Sequence, residues 1–171
     1  MSEKNIIYAD GSSAVRNNKR CGGIGVYFEN TKDEIYETYT DDNSTNQRME
    51  LQACLTAIRQ AIEFPAIKSP ANVCIVIRTD SMYSINCITK WSIMWEKNNW
   101  MRKVGKNNVV ILHLDLIKEL YGLYNMYNIK FEHVRAHMKE PTEKSEKWSI
   151  WNGNNIADRL ASCGMNRGFL F

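Results

Sequence analysis

The run Val73–Ile77 (VCIVI) constrains the fold of this chain more than any other segment. A nearly continuous apolar, β-branched run is typical of a strand that is covered on both faces of a sheet, since a half-exposed strand would alternate with polar residues. Helices must then cover the sheet, which predicts an α/β protein. At 171 residues the chain is long enough for one domain with its own core, and we expect a single domain over residues 1–171.

Three further strands are predicted before this run. Ile6–Ala9 has the pattern of a short buried strand, and we expect the turn residues of Asp10–Ser13 to end it. Gly22–Glu29 and Glu34–Thr40 form a predicted hairpin, with residues 30–33 as its loop. The first three strands are therefore expected to lie close together in the sheet.

The remaining segments alternate between helix and strand. A helix is predicted to begin near Thr45 or Asn46, both good N-caps, and to run to about Glu63, because Pro65 stops it. Three early strands followed by strands that helices separate favour a mixed sheet with helices on its faces. The later predicted elements are a short helix after Asp80-Ser81, a helix over Asn108–Tyr127, a strand over Ile129–Val134 and a helix over Asn152–Met165.

Charge and cysteine usage indicate an intracellular protein. The net charge of +3 says little about partners, but four basic residues lie between Trp95 and Lys106 against one acid. Such a patch could follow phosphates, although a solvated helix end would look the same. The five cysteines include no CxxC pair, and their apolar neighbours predict reduced core thiols in the cytoplasm or nucleus. The sequence has no visible signal peptide, and its apolar runs are too short to cross a membrane.

Four acids are the candidate catalytic residues. Asp10 follows the first strand, Asp80 follows the Val73–Ile77 strand, and Glu50 lies just off the apolar stripe of the first long helix. Ligands gather at the carboxyl ends of adjacent strands, and carboxylates that converge there repel one another unless a cation neutralises them. Oxygen ligands favour Mg²⁺ or Mn²⁺ over zinc. A fourth acid, Asp158, lies in the last predicted helix.

Each acid alone has an ordinary explanation, because Asp10-Gly11 is common turn chemistry and Asp80-Ser81 could simply cap a helix. Together with their neighbours, however, they form an ordered set, and the chain resembles the ribonuclease H family, in particular its cellular type 1 enzymes. The segments that carry the resemblance, in the family's order, are Tyr8–Ser12 (YADGS), Gly22–Phe28 (GGIGVYF), Thr45–Glu50 (TNQRME), Thr79–Asn86 (TDSMYSIN), His133–His137 (HVRAH) and Asn154–Ala161 (NNIADRLA).

The resemblance implies a five-stranded mixed sheet whose first three strands are antiparallel, with helices on both faces. It implies that Asp10, Glu50, Asp80 and Asp158 bind two Mg²⁺ ions, for which Mn²⁺ can substitute, and that His137 matches the family's mobile catalytic histidine. The implied reaction is endonucleolytic cleavage of the RNA strand of an RNA–DNA hybrid, which leaves 5′-phosphate and 3′-hydroxyl ends. The chain is expected to act as a monomer, with no membrane partner.

The same resemblance suggests how the hybrid is held. Asn46 and Gln47 are expected to contact RNA 2′-hydroxyls, and Thr45 to hold a DNA phosphate. A basic protrusion near residues 91–106 is expected to grip the DNA strand through Trp91 or Trp95, whereas Trp100 is expected to be mostly structural. The full set of implied nucleic-acid contacts is Gly11, Ser12, Ser13, Thr45, Asn46, Gln47, Met82, Asn86, Trp91, Trp95, Lys97, Arg102 and Lys103.

The chain departs from the family in two regions. Asn43 stands where the type 1 enzymes use an arginine for a DNA phosphate, and Val110 stands where they use an asparagine. His137 and Asp158 are 21 positions apart, which is longer than the usual separation and predicts an inserted loop near residues 138–152. Two tryptophans in it, Trp148 and Trp151, either anchor the insertion on the body of the protein or touch substrate.

Three other functions remain open from the sequence. The chain could be a catalytically silent hybrid-binding module, although the complete set of acids argues against this. It could be a related nuclease or integrase, although those lack the tryptophan-bearing protrusion. It could also be the nuclease segment of a reverse transcriptase, although a start at Met1 and an end at Phe171 favour a self-contained protein.

Overall fold

The computed structural model describes residues 3–63 and 73–171, so the predicted helix stop at Pro65 lies outside the described residues. The strands are β1 Glu3–Arg16, β2 Lys19–Phe28, β3 Glu34–Tyr39, β4 Val73–Thr79, β5 Met101–Val104, β6 Asn107–Val110 and β7 Ile129–His133. The helices are α1 Asn46–Glu63, α2 Met82–Asn86, α3 Ser92–Lys97, α4 Leu114–Met126 and α5 Glu146–Gly168, and a π-helical turn over Cys87–Trp91 joins α2 to α3.

The main sheet has five strands in the order β3-β2-β1-β4-β7. The β1–β2 and β2–β3 pairs are antiparallel, while β4 pairs in parallel with β1 and with β7. The mixed five-stranded sheet with three antiparallel strands first is therefore confirmed. The run Val73–Ile77 lies inside this sheet between β1 and β7, as its apolar sequence predicts.

Helices cover both faces of the sheet, and the glycines of β2 show how closely they pack. A Cβ on Gly22 would lie 2.5 Å from the Met49 sulfur of α1. A Cβ on the next residue, Gly23, would lie 2.2 Å from the Ala161 carbonyl oxygen of α5. Because successive strand residues point to opposite faces, α1 and α5 lie on opposite sides of β2. The main core, which includes Ile24 and Leu51, fills the α1 side.

The predicted turn over Asp10–Ser13 is wrong, because these residues continue β1. Asp10 pairs with Gly25, and Ser13 pairs with Gly22. The chain instead reverses at Asn17-Asn18, where both residues have positive φ angles of 49° and 61°. Asparagine tolerates this conformation, which two-residue hairpins with a type I′ turn require. Composition suggested the turn at Asp10, whereas the pairing with β2 decides where it occurs.

The predicted helix over Asn108–Tyr127 is also wrong in its first part. Residues 101–110 form a separate hairpin of β5 and β6, all of whose strand residues are exposed, and α4 begins only at Leu114. Gly105 has a φ of 59° in the turn, and β-branched residues such as Val109 favour strand over helix. The basic protrusion is therefore α3 followed by an exposed hairpin.

The last helix begins earlier than predicted. Because α5 starts at Glu146, Trp148 and Trp151 are helical, and only the first half of the segment assigned to an inserted loop is irregular. Ser145 and the acidic Glu146 suit the start of a helix, so the sequence did carry a signal there. Among the helices of the two described segments, none combines the length and apolar character that a bilayer crossing needs.

Candidate active site

Asp10 and Asp80 are brought together by the parallel pairing of β1 and β4. The last registered pair of these strands is Tyr8 with Arg78, so each acid lies two residues beyond the same pair. Asp10 is buried, at 6% exposure, whereas Asp80 follows the end of β4 and is half-buried. The two carboxylates therefore lie level with each other on neighbouring strands.

Glu50 reaches these acids because α1 packs directly on β1. A Cβ on Gly11 would lie 2.2 Å from the backbone nitrogen of Glu50, so only glycine allows this approach. Asn46 Nδ2 donates to one carboxylate oxygen of Glu50 at 2.9 Å, and Ser81 Oγ donates to the other at 2.6 Å. Ser81 is absent from the predicted site residues. Its place directly after Asp80 could have suggested it, although a cap was the simpler interpretation.

Asp158 and His137 meet Asp80 at a small cavity of about 40 Å³. Asp158 lies on α5, and His137 lies in the loop after β7 with a φ of 51°. Asn154 also lines the cavity, and its buried Oδ1 has no hydrogen-bond partner among the described residues. The other residues that line the cavity are Arg135, Met138, Trp151 and Asn155, none of which the sequence identified as a site residue.

The electrostatics join the four acids into one site. Burial, followed by the negative charges of Asp80, Asp158 and Glu50, raises the pKa of Asp10 to about 8, and the Gly11 N–H partly opposes this rise. Burial and Asp158 raise the pKa of Asp80, while His137 and His133 lower it. Burial is also the main cause of the raised pKa of Glu50. Burial is the largest cause of each shift, and the neighbouring acids add to it, which is an environment suited to a cation.

The donor chemistry of these residues fits a hard divalent ion. All four acids offer carboxylate oxygens, which Mg²⁺ and Mn²⁺ prefer. Within residues 3–63 and 73–171, no three His, Cys, Asp or Glu side chains are close enough to enclose an ion by themselves. Mg²⁺ keeps several waters and takes one or two carboxylates together with substrate phosphates.

A second concave surface lies beside α1 and the protrusion. Four of the residues predicted to bind nucleic acid line it, Gln47, Trp91, Trp95 and Arg102, around a cavity of about 490 Å³. The rings of Trp91 and Trp95 have centroids 5.8 Å apart, and Trp91 is 37% exposed. We call this surface the tryptophan groove. Tyr83, Val110, Ile111 and Leu112 complete its lining.

The other predicted contacts are more scattered. Ser12 Oγ donates to the Met165 sulfur, while Ser13 Oγ donates to the Ser44 carbonyl on the opposite face. The two hydroxyls therefore lie on opposite faces of the sheet and cannot both face the same nucleic-acid strand. Thr45 accepts from Arg48 N at 3.4 Å, as an N-cap of α1 does. Gly11 is buried and Asn86 half-buried, while Asn46, Met82, Lys97 and Lys103 are exposed.

Trp100 differs from the other tryptophans of the protrusion. It packs against the main core, and its ring meets Tyr121 edge-on with centroids 5.8 Å apart. Its predicted structural role is confirmed.

All five cysteines lie in the described residues with free thiols, and four of them are buried. Cys163 is exposed, contrary to the prediction of core thiols.

Comparison with known sequences identifies relatives across the whole chain. The family model for RNase H matches residues 2–166. A probable ribonuclease H of Acanthamoeba polyphaga mimivirus is 36% identical and covers 85% of this chain and 59% of that protein. A ribonuclease H of Dichelobacter nodosus is 35% identical and covers 91% of this chain and 88% of that protein. The chain thus spans well under two thirds of the viral relative and most of the bacterial one.

Solved structures share the fold. The type 1 enzyme LC9-RNase H1, which carries a type 2 active-site motif, aligns with a TM-score of 0.71 at 23% identity over 98% of this chain and 74% of that chain. A foamy viral protease-reverse transcriptase in complex with an RNA/DNA hybrid aligns with a TM-score of 0.71 at 20% identity over 94% of this chain and 20% of that chain. Both likenesses bear on architecture alone.

Proposed function

Because the chain belongs to the ribonuclease H family, we propose that it is an endonuclease that hydrolyses the RNA strand of RNA–DNA hybrids. One observation carries the proposal: the parallel pairing of β1 and β4 brings Asp10 level with Asp80, and Asp158 lines one cavity with Asp80. Acids gathered at one end of the sheet are costly to the fold and are suited to binding divalent cations at a phosphate. Asp10, Glu50, Asp80 and Asp158 would hold two Mg²⁺ or Mn²⁺ ions.

When bound, the ions would activate a water as nucleophile and stabilise the negative charge that develops on the leaving oxygen. The chain's own groups prepare this chemistry. Asp10 must give up its proton to become a ligand, because its pKa is raised to about 8. Ser81 and Asn46 fix the Glu50 carboxylate from both sides.

In this proposal His137 assists departure of the leaving group. The water oxygen forms a bond to phosphorus and releases a proton to solvent while the bond from phosphorus to the 3′-oxygen breaks, which leaves a 5′-phosphate on one fragment. The released 3′-oxygen needs a proton, and an imidazole that borders the Asp80–Asp158 cavity is a suitable donor. The second product then carries a 3′-hydroxyl.

The tryptophan groove gives the proposal its specificity for hybrids. An enzyme that cuts RNA only when it is paired with DNA must sense a 2′-hydroxyl on one strand and its absence on the other. Asn46 and Gln47 are exposed on the first turn of α1, beside Glu50, and can hydrogen-bond to 2′-hydroxyls. The flat rings of Trp91 and Trp95 suit a deoxyribose, which lacks that hydroxyl, while Arg102 can neutralise a neighbouring phosphate.

The test compares matched RNA–DNA, RNA–RNA and DNA–DNA duplexes with Mg²⁺, with Mn²⁺ or with a chelator. We expect cleavage of the hybrid's RNA strand alone, and none with chelator. End analysis should give 5′-phosphate and 3′-hydroxyl termini. Equal cutting of RNA–RNA would overturn the specificity, and hybrid binding without cleavage would favour the silent binding module.

A further inference from the structure

One face of α5 carries three residues that the proposed reaction does not use, beside the acid Asp158. Trp151, Asn154, Asn155 and Asp158 are spaced by 3, 4 and 7 positions, so they share one face of the helix. All four line the cavity that Asp80 and His137 also border. One helix face therefore presents both an acid and a tryptophan to the same small space.

Trp151 is tied to the loop that carries His137. Its indole Nε1 donates a hydrogen bond to the carbonyl oxygen of Met138 at 2.9 Å. Met138 directly follows His137, and both residues line the cavity. One turn earlier, Trp148 Nε1 donates to a carboxylate oxygen of Glu140 at 3.0 Å, and the two tryptophan rings lie 6.2 Å apart.

This loop has few other features that would order it. It spans the residues between His133 and Glu146, and most of its side chains are exposed. His137 adopts a left-handed φ of 51°, a conformation that is uncommon for residues other than glycine, although histidine tolerates it better than most. A loop of such length without secondary structure is ordinarily ordered only by contacts with the rest of the protein. A bond to a backbone carbonyl restricts the loop more than a bond to the exposed Glu140 side chain, which water readily replaces.

We propose that Trp151 is a positioning residue that fixes the backbone at Met138 and thereby holds His137 at the Asp80–Asp158 cavity. The positioning role rests on the proposed function, whereas the tether itself does not. In this chain the long segment between His137 and Asp158 is thus fastened by the same helix that supplies the acid. His137 is then held at the site in a fixed orientation, because the hydrogen bond to Met138 restricts the backbone next to it.

The tether is tested first on the metal-free protein by limited trypsin digestion, with cuts after Lys139 and Lys144 followed by mass spectrometry. Trp151→Phe keeps a ring but loses the indole donor, and should be cut about fivefold faster, as the loss of one hydrogen bond implies. Trp148→Phe is the matched control and should be cut less than twofold faster. Equal rates for the wild type and Trp151→Phe would overturn the proposal.

The positioning role is tested by a double-mutant cycle on hybrid cleavage. Trp151→Phe should lower kcat about fivefold with KM unchanged, and should have no effect on the residual turnover of His137→Ala. An equal loss in both backgrounds would show that Trp151 acts without His137 and would refute the role. Thermal melts of each variant establish that it is folded.

The trypsin assay separates this proposal from the proposed function. If the wild-type chain cuts no hybrid, the proposed function fails, while the trypsin assay still decides the tether. Should Trp151→Phe not fold, hydrogen exchange at the Trp151 indole of the wild type gives the answer. Exchange slower than in a free tryptophan supports the bond to Met138, and exchange at the free rate overturns it.

Discussion

The carbonyl oxygen of Ala157 lies where Gly25 would need room for a side chain, since a Cβ on Gly25 would be 2.1 Å from it. This contact seats the backbone of α5 directly on β2. Gly25 is paired with Asp10 across the sheet, and Ala157 immediately precedes Asp158. The distance between Asp10 and Asp158 therefore depends on Gly25, which has no side chain to hold α5 away from the sheet.

Replacing Gly25 with alanine should destabilise the protein and impair its activity. The added methyl group must push α5 from the sheet, which we expect to cost about 1–3 kcal/mol or more. Urea unfolding measures the loss, and hybrid cleavage should fall with it because Asp158 moves away from Asp10. An unchanged unfolding midpoint would contradict the packing at Ala157.

Gly122→Ala is the matched control in α4. Apart from the adjacent residues and the backbone of α4 itself, no described atom lies within 4 Å of a Cβ built on Gly122, so the methyl group meets open space. Alanine should stabilise the helix there by about 0.5–1 kcal/mol, because glycine loses more backbone freedom on folding. Cleavage activity should be unchanged.

Replacing Asp80 with asparagine should abolish turnover but leave hybrid binding. The side chain keeps its size but loses the charge that a divalent ion needs, and we expect a loss of roughly 10²-fold or more. The rate is measured at saturating hybrid with Mg²⁺, and binding is measured by fluorescence anisotropy in chelator. Asp42→Asn, at an exposed position before α1, is the control and should keep full activity.

The fold could be predicted from the sequence where local pattern and tertiary structure agree. The VCIVI run occurs as an interior strand, and α1 begins at Asn46, where the N-cap residues predict it. The prediction failed where pairing overrode composition. Asp10–Ser13 has turn residues but continues β1, because its backbone pairs with β2. A hairpin at residues 101–110 could not be separated from a helix by its short apolar runs.

The site shows the same division. Acids at strand ends are visible in a sequence, because the order of the elements predicts where those ends meet. The roles of Ser81 and Trp151 are harder to assign, because the sequence does not show which residue each side chain contacts, Glu50 for Ser81 and Met138 for Trp151. Such contacts depend on how closely helices approach the sheet, and glycines such as Gly25 determine that approach.

The two kinds of tryptophan on the protrusion should respond differently to replacement by alanine. Trp91→Ala should weaken hybrid binding by about 1–3 kcal/mol, as the loss of a ring that packs on nucleic acid does, with little change in melting temperature. Trp100→Ala removes a ring packed on the core and on Tyr121, and should destabilise the fold by about 3 kcal/mol. Calorimetry and hybrid titrations measure both. A Trp91→Ala variant that binds as the wild type does would remove the tryptophan groove from the proposal.

The raised pKa of Asp10 makes the metal-free protein sensitive to pH. Its pKa is about 8 in the folded chain against an ordinary value of 3.8, so the folded state binds the proton more tightly than the unfolded state does. Stability from this group is complete below about pH 4 and is lost as the pH rises toward 8. In chelator, Asp10→Asn should therefore melt higher than the wild type at pH 8, by a free-energy difference on the order of a few kcal/mol. The difference should shrink at pH 5.

Mg²⁺ should raise the melting temperature of the wild type most at pH 8, where Asp10 ionises most readily. It should raise the melting temperature of Asp10→Asn less. A wild type that is the more stable of the two at pH 8 in chelator would show that burial and the neighbouring acids do not hold the proton on Asp10.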